Sequence, residues 1–144
     1  MAFDEPHHDG SELYVVERPD ETGGSAVVRL RAPRAAAGKV WLRYVADGEP
    51  RTAEAAVDED AAGETWWRAE MPVVNPVTRY RWLVDGGDAG YRWVNGAGSH
   101  AHEVPGADDF VLSLARGAPS WHARSVVYEI FPDRFAASDC AADA

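Results

Sequence analysis

The residues best suited to bind a ligand are tryptophans that lie close to arginine in short segments of strand-like sequence. Trp66 lies two residues before Arg68, and Trp41 lies two residues before Arg43. Aromatic rings stack on the apolar faces of sugar rings, while planar polar groups hydrogen-bond the sugar hydroxyls. Trp66, Trp41 and Arg68 are therefore the candidate sugar-binding residues. The same residue types are also enriched in protein–protein interfaces, and most of the six tryptophans of so short a chain are expected in its core.

Two other groups of side chains are of types that could do chemistry. Asp58, Glu59 and Asp60 would suit calcium binding or acid–base catalysis, but consecutive acidic residues usually form a solvated loop. His100 and His102 form a His-x-His pair, which can contribute to a zinc site, but no third ligand stands at a familiar spacing. We therefore assign no metal ligand and no catalytic residue to these groups.

A further signal lies near the end of the chain. Residues 126–131 form a continuous run of β-branched and aromatic residues with one charge, and Pro132 ends the run. A run without alternation is typical of a strand buried on both faces, as in a parallel sheet. Proline cannot extend such a strand, so Asp133 and Arg134 are expected on the loop after its C-terminal end, where (β/α)8 barrels handle their substrates. The chain ends at residue 144, whereas a complete barrel needs about 250 residues, so only the start of a barrel is expected.

Residues 127–135 resemble the segment that opens the catalytic barrel in glycoside hydrolase family 13. The residues that carry this barrel-entry motif are Tyr128, Pro132, Asp133, Arg134 and Phe135. The resemblance is closest to the group of neopullulanases, cyclomaltodextrinases, maltogenic amylases and maltodextrin glucosidases. In that group a β-sandwich domain precedes the barrel, and four earlier segments of this chain look like landmarks of that domain: residues 47–50, 67–69, 79–82 and 108–110.

The resemblance implies a parent enzyme that cleaves α-glycosidic bonds in maltodextrins, cyclodextrins or pullulan with retention of configuration. Retaining glycosidases need two carboxyl groups about 5–5.5 Å apart. In the family these groups lie on later barrel strands, so the resemblance assigns no catalytic residue to this chain and gives Asp133 a supporting role. Related enzymes often hold calcium after the motif through an Asn and an Asp. Here Ala137 replaces the Asn and Asp139 keeps the acidic place, so no cofactor is expected.

The resemblance also implies partners. In related enzymes the sandwich of one subunit often caps the active site of the other. The expected partners are α-glucan oligosaccharides bound through the parent enzyme, the missing catalytic barrel, and a second copy of the chain in a homodimer. The expected role of the domain is to shape or cap the active site and to bind glucan.

Composition limits the other classes of partner and the compartment. The formal net charge of −10 opposes binding to nucleic acid or to an anionic membrane. No apolar run approaches the roughly 20 residues of a membrane span, and no secretory signal opens the chain. The single cysteine, Cys140, leaves no intrachain disulfide, which fits a cytoplasmic protein.

Short segments separated by turn signals predict an all-β fold, an immunoglobulin-like antiparallel β-sandwich of seven or eight strands over residues 12–115. Residues 1–11 are expected to form a disordered tail, residues 116–120 a linker, and residues 121–144 the first strand and loop of a truncated (β/α)8 barrel. Alternation directs Trp67 and Trp82 inward, and Trp66 and Arg81 outward. The predicted strands are 13–16, 26–32, 39–46, 52–57, 65–71, a segment with Tyr80, Trp82 and Val84 in phase, 91–94 and 108–114.

A rival interpretation is an immunoglobulin-like protein-interaction module with no carbohydrate role. Such a module accounts equally well for the strands and for the outward-facing tryptophans. It gives no reason for the barrel-entry motif at residues 127–135. The motif therefore favours the domain of a hydrolase.

Overall fold

The structure is a computed structural model, and it describes residues 5–61, 63–115 and 126. These residues form ten β-strands, short 3-10 turns and no α-helix, and none of them belongs to a helix that could span a membrane. The strands are β1 (Val15–Glu17), β2 (Ser25–Pro33), β3 (Lys39–Ala46), β4 (Glu49–Glu54), β5 (Ala56–Ala61), β6 (Glu64–Pro72), β7 (Val77–Asp85), β8 (Tyr91–Asn95), β9 (Gly98–His100) and β10 (Phe110–Ser113).

The strands pair into two antiparallel sheets, which confirms the predicted all-β class. The first sheet has the order β1-β2-β6-β5. The second sheet has the order β4-β3-β7-β8-β9, and β10 also pairs with β7. Strands β8 and β10 pair with different halves of β7, since Val94 lies opposite Trp82 and Phe110 lies opposite Tyr80.

One hydrophobic core joins the inward faces of the two sheets. Leu30 and Met71 from the first sheet and Leu42 and Trp82 from the second are fully buried. These residues follow the period of two that the sequence predicted, and Trp67 faces inward as expected. Burial of one such side chain contributes about 1.5–3 kcal/mol, so the contact between the sheets is the main stabilising feature of the fold.

The prediction of a single strand over residues 52–57 is wrong. The chain forms β4 in the second sheet and β5 in the first, and it crosses between the sheets at Ala55. Ala55 is buried, and its backbone N–H donates to the carbonyl oxygen of Val40 at 2.9 Å. The expected strand count was therefore too low, and β9 adds to the count because it lies in a stretch that looked like a loop.

The acidic run also lies in a strand, β5, and not in a loop. Its carboxylates face arginines of neighbouring chain segments: Asp58 Oδ2 lies 2.7 Å from Arg29 Nε, and Asp60 Oδ1 lies 2.6 Å from Arg34 Nη2. Strand β5 is an edge of the first sheet. Charged side chains on an edge strand oppose pairing with another chain, which gives the run a structural explanation.

Residues 5–11, the described part of the predicted tail, pack against the sandwich. His7 pairs with Arg31 beside the first sheet, and the side chain of His8 is buried between the sheets. Nδ1 of His8 lies 2.7 Å from the carbonyl oxygen of Arg29, and Nε2 lies 2.9 Å from the hydroxyl of Tyr80. Because a carbonyl can only accept, Nδ1 donates and Nε2 accepts the O–H of Tyr80. Burial lowers the pKa of His8 to about 4, so the ring is neutral at pH 7.

The predicted linker at 116–120 lies outside the described residues, as does the predicted barrel start at 121–144 apart from Val126. The same is true of the barrel-entry residues Tyr128, Pro132, Asp133, Arg134 and Phe135 and of the positions compared with a calcium site, Ala137 and Asp139.

Candidate functional site

A row of large side chains crosses the outer face of the second sheet. Trp41 of β3 lies opposite Leu83 of β7, Leu83 lies opposite Trp93 of β8, and Trp93 lies opposite His100 of β9. Residues that lie opposite each other on paired strands place their side chains on the same face. Neighbouring strands are about 4.8 Å apart, so the backbones that carry Trp41 and Trp93 are about 10 Å apart with Leu83 between them.

Three members of this row, Trp41, Leu83 and Trp93, form the floor of an open cleft of about 470 Å³. Asp85, Tyr91 and Glu103 also line the cleft, together with Gly87 and Gly90 of the turn between β7 and β8. Both glycines have a positive φ, 62° and 78°, and their lack of side chains leaves that end of the cleft open. Asp85 Oδ1 accepts the backbone N–H of Gly87 at 2.8 Å, which fixes the start of the turn.

The cleft combines aromatic surface with carboxylate acceptors. Asp85 and Glu103 are the only ionisable carboxyl groups among its lining residues, and no Lys or Arg lines it within the described part of the chain. Rings of Trp41, Trp93 and Tyr91 offer flat apolar surface, and Tyr91 is 51% exposed. Apolar floor with polar groups at the rim suits a neutral ligand that has both apolar faces and hydroxyl groups.

The structure places the three predicted binding residues on two different faces. Trp41 lies on the outer face of the second sheet, in the cleft, whereas Trp66 and Arg68 lie on β6 in the first sheet. Arg68 Nη2 lies 3.0 Å from Glu17 Oε1 in an exposed ion pair. One ligand of modest size therefore cannot contact all three residues.

The ring of Trp66 is covered by other side chains. Its centroid lies 5.3 Å from that of Tyr14, with 30° between the ring planes. The guanidinium carbons of Arg29 and Arg31 lie 4.5 and 5.9 Å from the same ring. These cation–π contacts use the aromatic surface that a sugar would need. Trp66 remains a predicted binding residue, but it is half-buried in a side-chain cluster of its own.

Sequence analysis missed Trp93, Tyr91 and Glu103 as members of a site. Alternation along residues 91–94 already directs Tyr91 and Trp93 to one face. What the sequence did not reveal is the register that aligns Trp93 with Trp41 across β7. Glu103 comes from the segment between β9 and β10, and its approach to the cleft depends entirely on tertiary contacts.

Arg81 faces outward, as alternation predicted, but it is not exposed. It lies on the outward face of β7, yet its side chain is only 5% exposed because the segment of residues 101–109 covers it. Arg81 Nε lies 2.8 Å from Asp109 Oδ1, and its guanidinium carbon lies 5.5 Å from the ring centroid of Trp93. Burial raises the pKa of Asp109, and the Arg81 guanidinium beside it acts in the opposite direction.

The two histidines considered as metal ligands lie beside the cleft row. The ring centroids of His100 and His102 are 5.8 Å apart. No cluster of three or more His, Cys, Asp or Glu side chains with metal-binding geometry occurs in the described ranges.

No family model matches the chain, but solved structures with a similar fold do. A cyclomaltodextrinase aligns over 92% of this chain with a TM-score of 0.66 and 15% sequence identity. The type III pullulan hydrolase from Thermococcus kodakarensis aligns over 66% of this chain with a TM-score of 0.48 and 23% identity. The aligned part covers 24% of the first enzyme and 14% of the second. The chain therefore shares its fold with about a quarter of the cyclomaltodextrinase.

Proposed function

We propose that this chain is the N-terminal domain of a family 13 α-glucan hydrolase and that the Trp41–Trp93 cleft is its glucan-binding surface. The observation that carries the proposal is the alignment of Trp41 and Trp93 on either side of Leu83, with Asp85 and Glu103 at the rim. Two strands of one sheet present the two rings to one extended ligand. Two carboxylates beside them accept hydrogen bonds from sugar hydroxyls.

The fold and the barrel-entry motif support the same proposal. The likeness to cyclomaltodextrinase concerns a part of that enzyme about as long as this chain. The motif at residues 127–135 resembles the point where a family 13 barrel begins. On this proposal the immunoglobulin-like sandwich precedes a catalytic barrel in a cytoplasmic enzyme that acts on maltodextrins, cyclodextrins or pullulan. The domain holds glucan near that barrel and shapes or caps its active site, within one subunit or across a homodimer.

Calorimetric titration of the 144-residue chain with maltoheptaose tests the binding surface. Trp93→Ala and Trp41→Ala should each weaken binding about tenfold, equivalent to about 1.4 kcal/mol, because each removes one stacking surface. Trp66→Phe is the matched control, since it keeps an aromatic ring in the Tyr14–Arg29 cluster and should leave the affinity unchanged. Loss of binding in Trp66→Phe with retained binding in Trp93→Ala would show that maltoheptaose binds on the first sheet instead.

A protein-interaction module remains the second candidate because of one observation. Val77 and Val111 are each 51% exposed and lie beside Arg79 on the outer face of the second sheet, away from the cleft. Exposed apolar side chains next to arginine are typical of protein contacts. This candidate predicts that Val77→Ser with Val111→Ser changes the sedimentation of the chain and leaves maltoheptaose binding intact. A chain that self-associates through these valines and shows no heat with maltoheptaose would favour it.

A further inference from the structure

Packing of the hydrophobic core does not explain why the side chain of Arg81 is buried. Its neighbours on the outer face of β7, Arg79 and Leu83, remain at least partly accessible, whereas the guanidinium of Arg81 is enclosed. Removing an arginine from water costs several kcal/mol unless partners compensate. The partners that enclose Arg81 are therefore informative about what the side chain does.

Arg43 lies opposite Arg81 on β3, and the other groups around Arg81 belong to the cleft or to the segment that leads to it. Its Nη1 donates to the carbonyl oxygen of Val104, the residue directly after Glu103. Its Nε lies 2.8 Å from Asp109 Oδ1 at the other end of the same segment. Its guanidinium carbon lies 5.5 Å from the ring centroid of Trp93. One side chain thus contacts the segment that supplies Glu103 and the aromatic floor.

The far end of the segment has further attachments. The backbone N–H of Gly96 donates to the carbonyl oxygen of Asp108 at 2.7 Å, which ties the end of the segment to the turn after β8. Gly106 lies so close to the pair that a Cβ there would be 3.3 Å from Arg81 Nη2 and 3.3 Å from Asp109 Oδ2. Next to Glu103 the segment is attached by the bond from Arg81 to the Val104 carbonyl and by the buried side chain of Val104.

We propose that Arg81, paired with Asp109, is the positioning residue of the cleft: it fixes Glu103 at the rim and the ring of Trp93 at the floor. The identity of the ligand rests on the glucan function proposed above, whereas the positioning of the segment does not. Arginine suits this task because its planar guanidinium reaches two acceptors at once and stacks on an aromatic ring. A lysine keeps the positive charge, but it has neither the rigid planar fork nor the planar face of the guanidinium.

Arg81→Lys is the first test, with Arg79→Lys as the matched control on the same face of the same strand. Hydrogen exchange of residues 101–109 without ligand should become faster in Arg81→Lys and stay unchanged in Arg79→Lys. Affinity for maltoheptaose should fall about tenfold in Arg81→Lys, which is about 1.4 kcal/mol, and remain at the wild-type value in Arg79→Lys.

A double variant separates positioning from stability. Arg81→Met combined with Asp109→Leu removes both buried charges, so no unpaired charge remains and the fold is retained. Its denaturation midpoint should therefore be close to that of the wild type, while binding falls as in Arg81→Lys. A folded double variant that binds maltoheptaose with wild-type affinity overturns the proposal.

The exchange measurement keeps this proposal distinct from the glucan function. If the wild-type chain does not bind maltoheptaose, the glucan function fails, and exchange decides the role of Arg81 alone. Unchanged exchange over residues 101–109 in Arg81→Lys overturns the positioning role, whatever the sugar result. Faster exchange together with unchanged affinity also overturns it, since the segment would then be held without effect on the cleft.

Discussion

The two outer faces of the sandwich carry the same sequence signal and differ in how their tryptophans are used. On the first sheet Trp66 stands among Tyr14, Arg29 and Arg31, and these side chains occupy its ring. On the second sheet Trp41 and Trp93 line an open cleft, and only one arginine, Arg81, lies against the ring of Trp93 among the described contacts. A tryptophan near an arginine on an outward strand position thus predicts either an internal cation–π cluster or a binding surface. The difference is decided by what distant chain segments place over the ring.

On the first sheet the covering segment is the chain before β1. His8 anchors it between the sheets, and Tyr14 follows at the point where the segment reaches the ring of Trp66. On the second sheet the segment of residues 101–109 covers Arg81 and stops at the rim of the cleft. On each face, a segment without long strands therefore determines which side chains remain accessible. Variants in these two segments test the comparison.

Acid should destabilise the fold chiefly through His8, which anchors the segment that covers the first face. The pKa of His8 is about 4 in the folded state and 6.5 in the unfolded state, so the unfolded state binds more protons between these values. The stabilising effect is complete above pH 6.5 and is lost as the pH falls towards 4. The full difference corresponds to about 3 kcal/mol. Urea denaturation at pH 7 and pH 4.5 should show most of this loss.

Two variants identify His8 as the source of that loss. His8→Phe keeps a ring among Tyr14, Tyr80 and Phe110 but cannot titrate, so its stability should change far less over the same pH range. His7→Gln removes an exposed histidine near Asp9 and should retain the wild-type loss. Asp109 has the opposite effect on stability. Its pKa is raised in the folded state, so its contribution to the free energy of unfolding increases as the pH falls. Equal pH dependence in His8→Phe and wild type would assign the loss to other groups.

Truncation of the two outward tryptophans should have unequal costs. Trp66→Ala removes contacts with Tyr14 and Arg29 and should lower the free energy of unfolding by about 1–2 kcal/mol. Trp41→Ala removes a side chain that lines the open cleft and should lower the free energy of unfolding by under about 0.5 kcal/mol. Chemical denaturation of both variants measures the difference. Equal costs would mean that the ring of Trp66 gains nothing from its cluster, and the distinction between the faces would fail.

Alternation of apolar and polar residues predicts the direction of most core side chains, because inward and outward positions follow from local backbone geometry. Trp67 is buried and Trp66 is not, as the period of two requires. Coverage and register are not local properties. The burial of His8 depends on Tyr80, far along the chain, and the partnership of Trp41 with Trp93 depends on how both strands align with β7. A polar residue beside a turn signal, such as His8, has the same sequence pattern in a disordered tail and in a segment that packs against the sheets.

The smallest expected effect is the change in affinity when the ligand carries a negative charge. The sign of this change distinguishes the two faces. Asp85 and Glu103 line the cleft, whereas Arg29 and Arg68 lie on the outer face of the first sheet. A negative charge about 7 Å from one carboxylate in water is repelled by about 0.6 kcal/mol, which is close to a threefold change in affinity. A maltooligosaccharide that carries one methyl phosphate diester, which has a single negative charge, should therefore bind about threefold more weakly than its neutral parent, and Glu103→Gln should reduce the difference. High salt should reduce it as well, because it screens exposed charges. A phosphorylated ligand that binds more tightly than the neutral one would place the sugar near the arginines, on the face of Trp66.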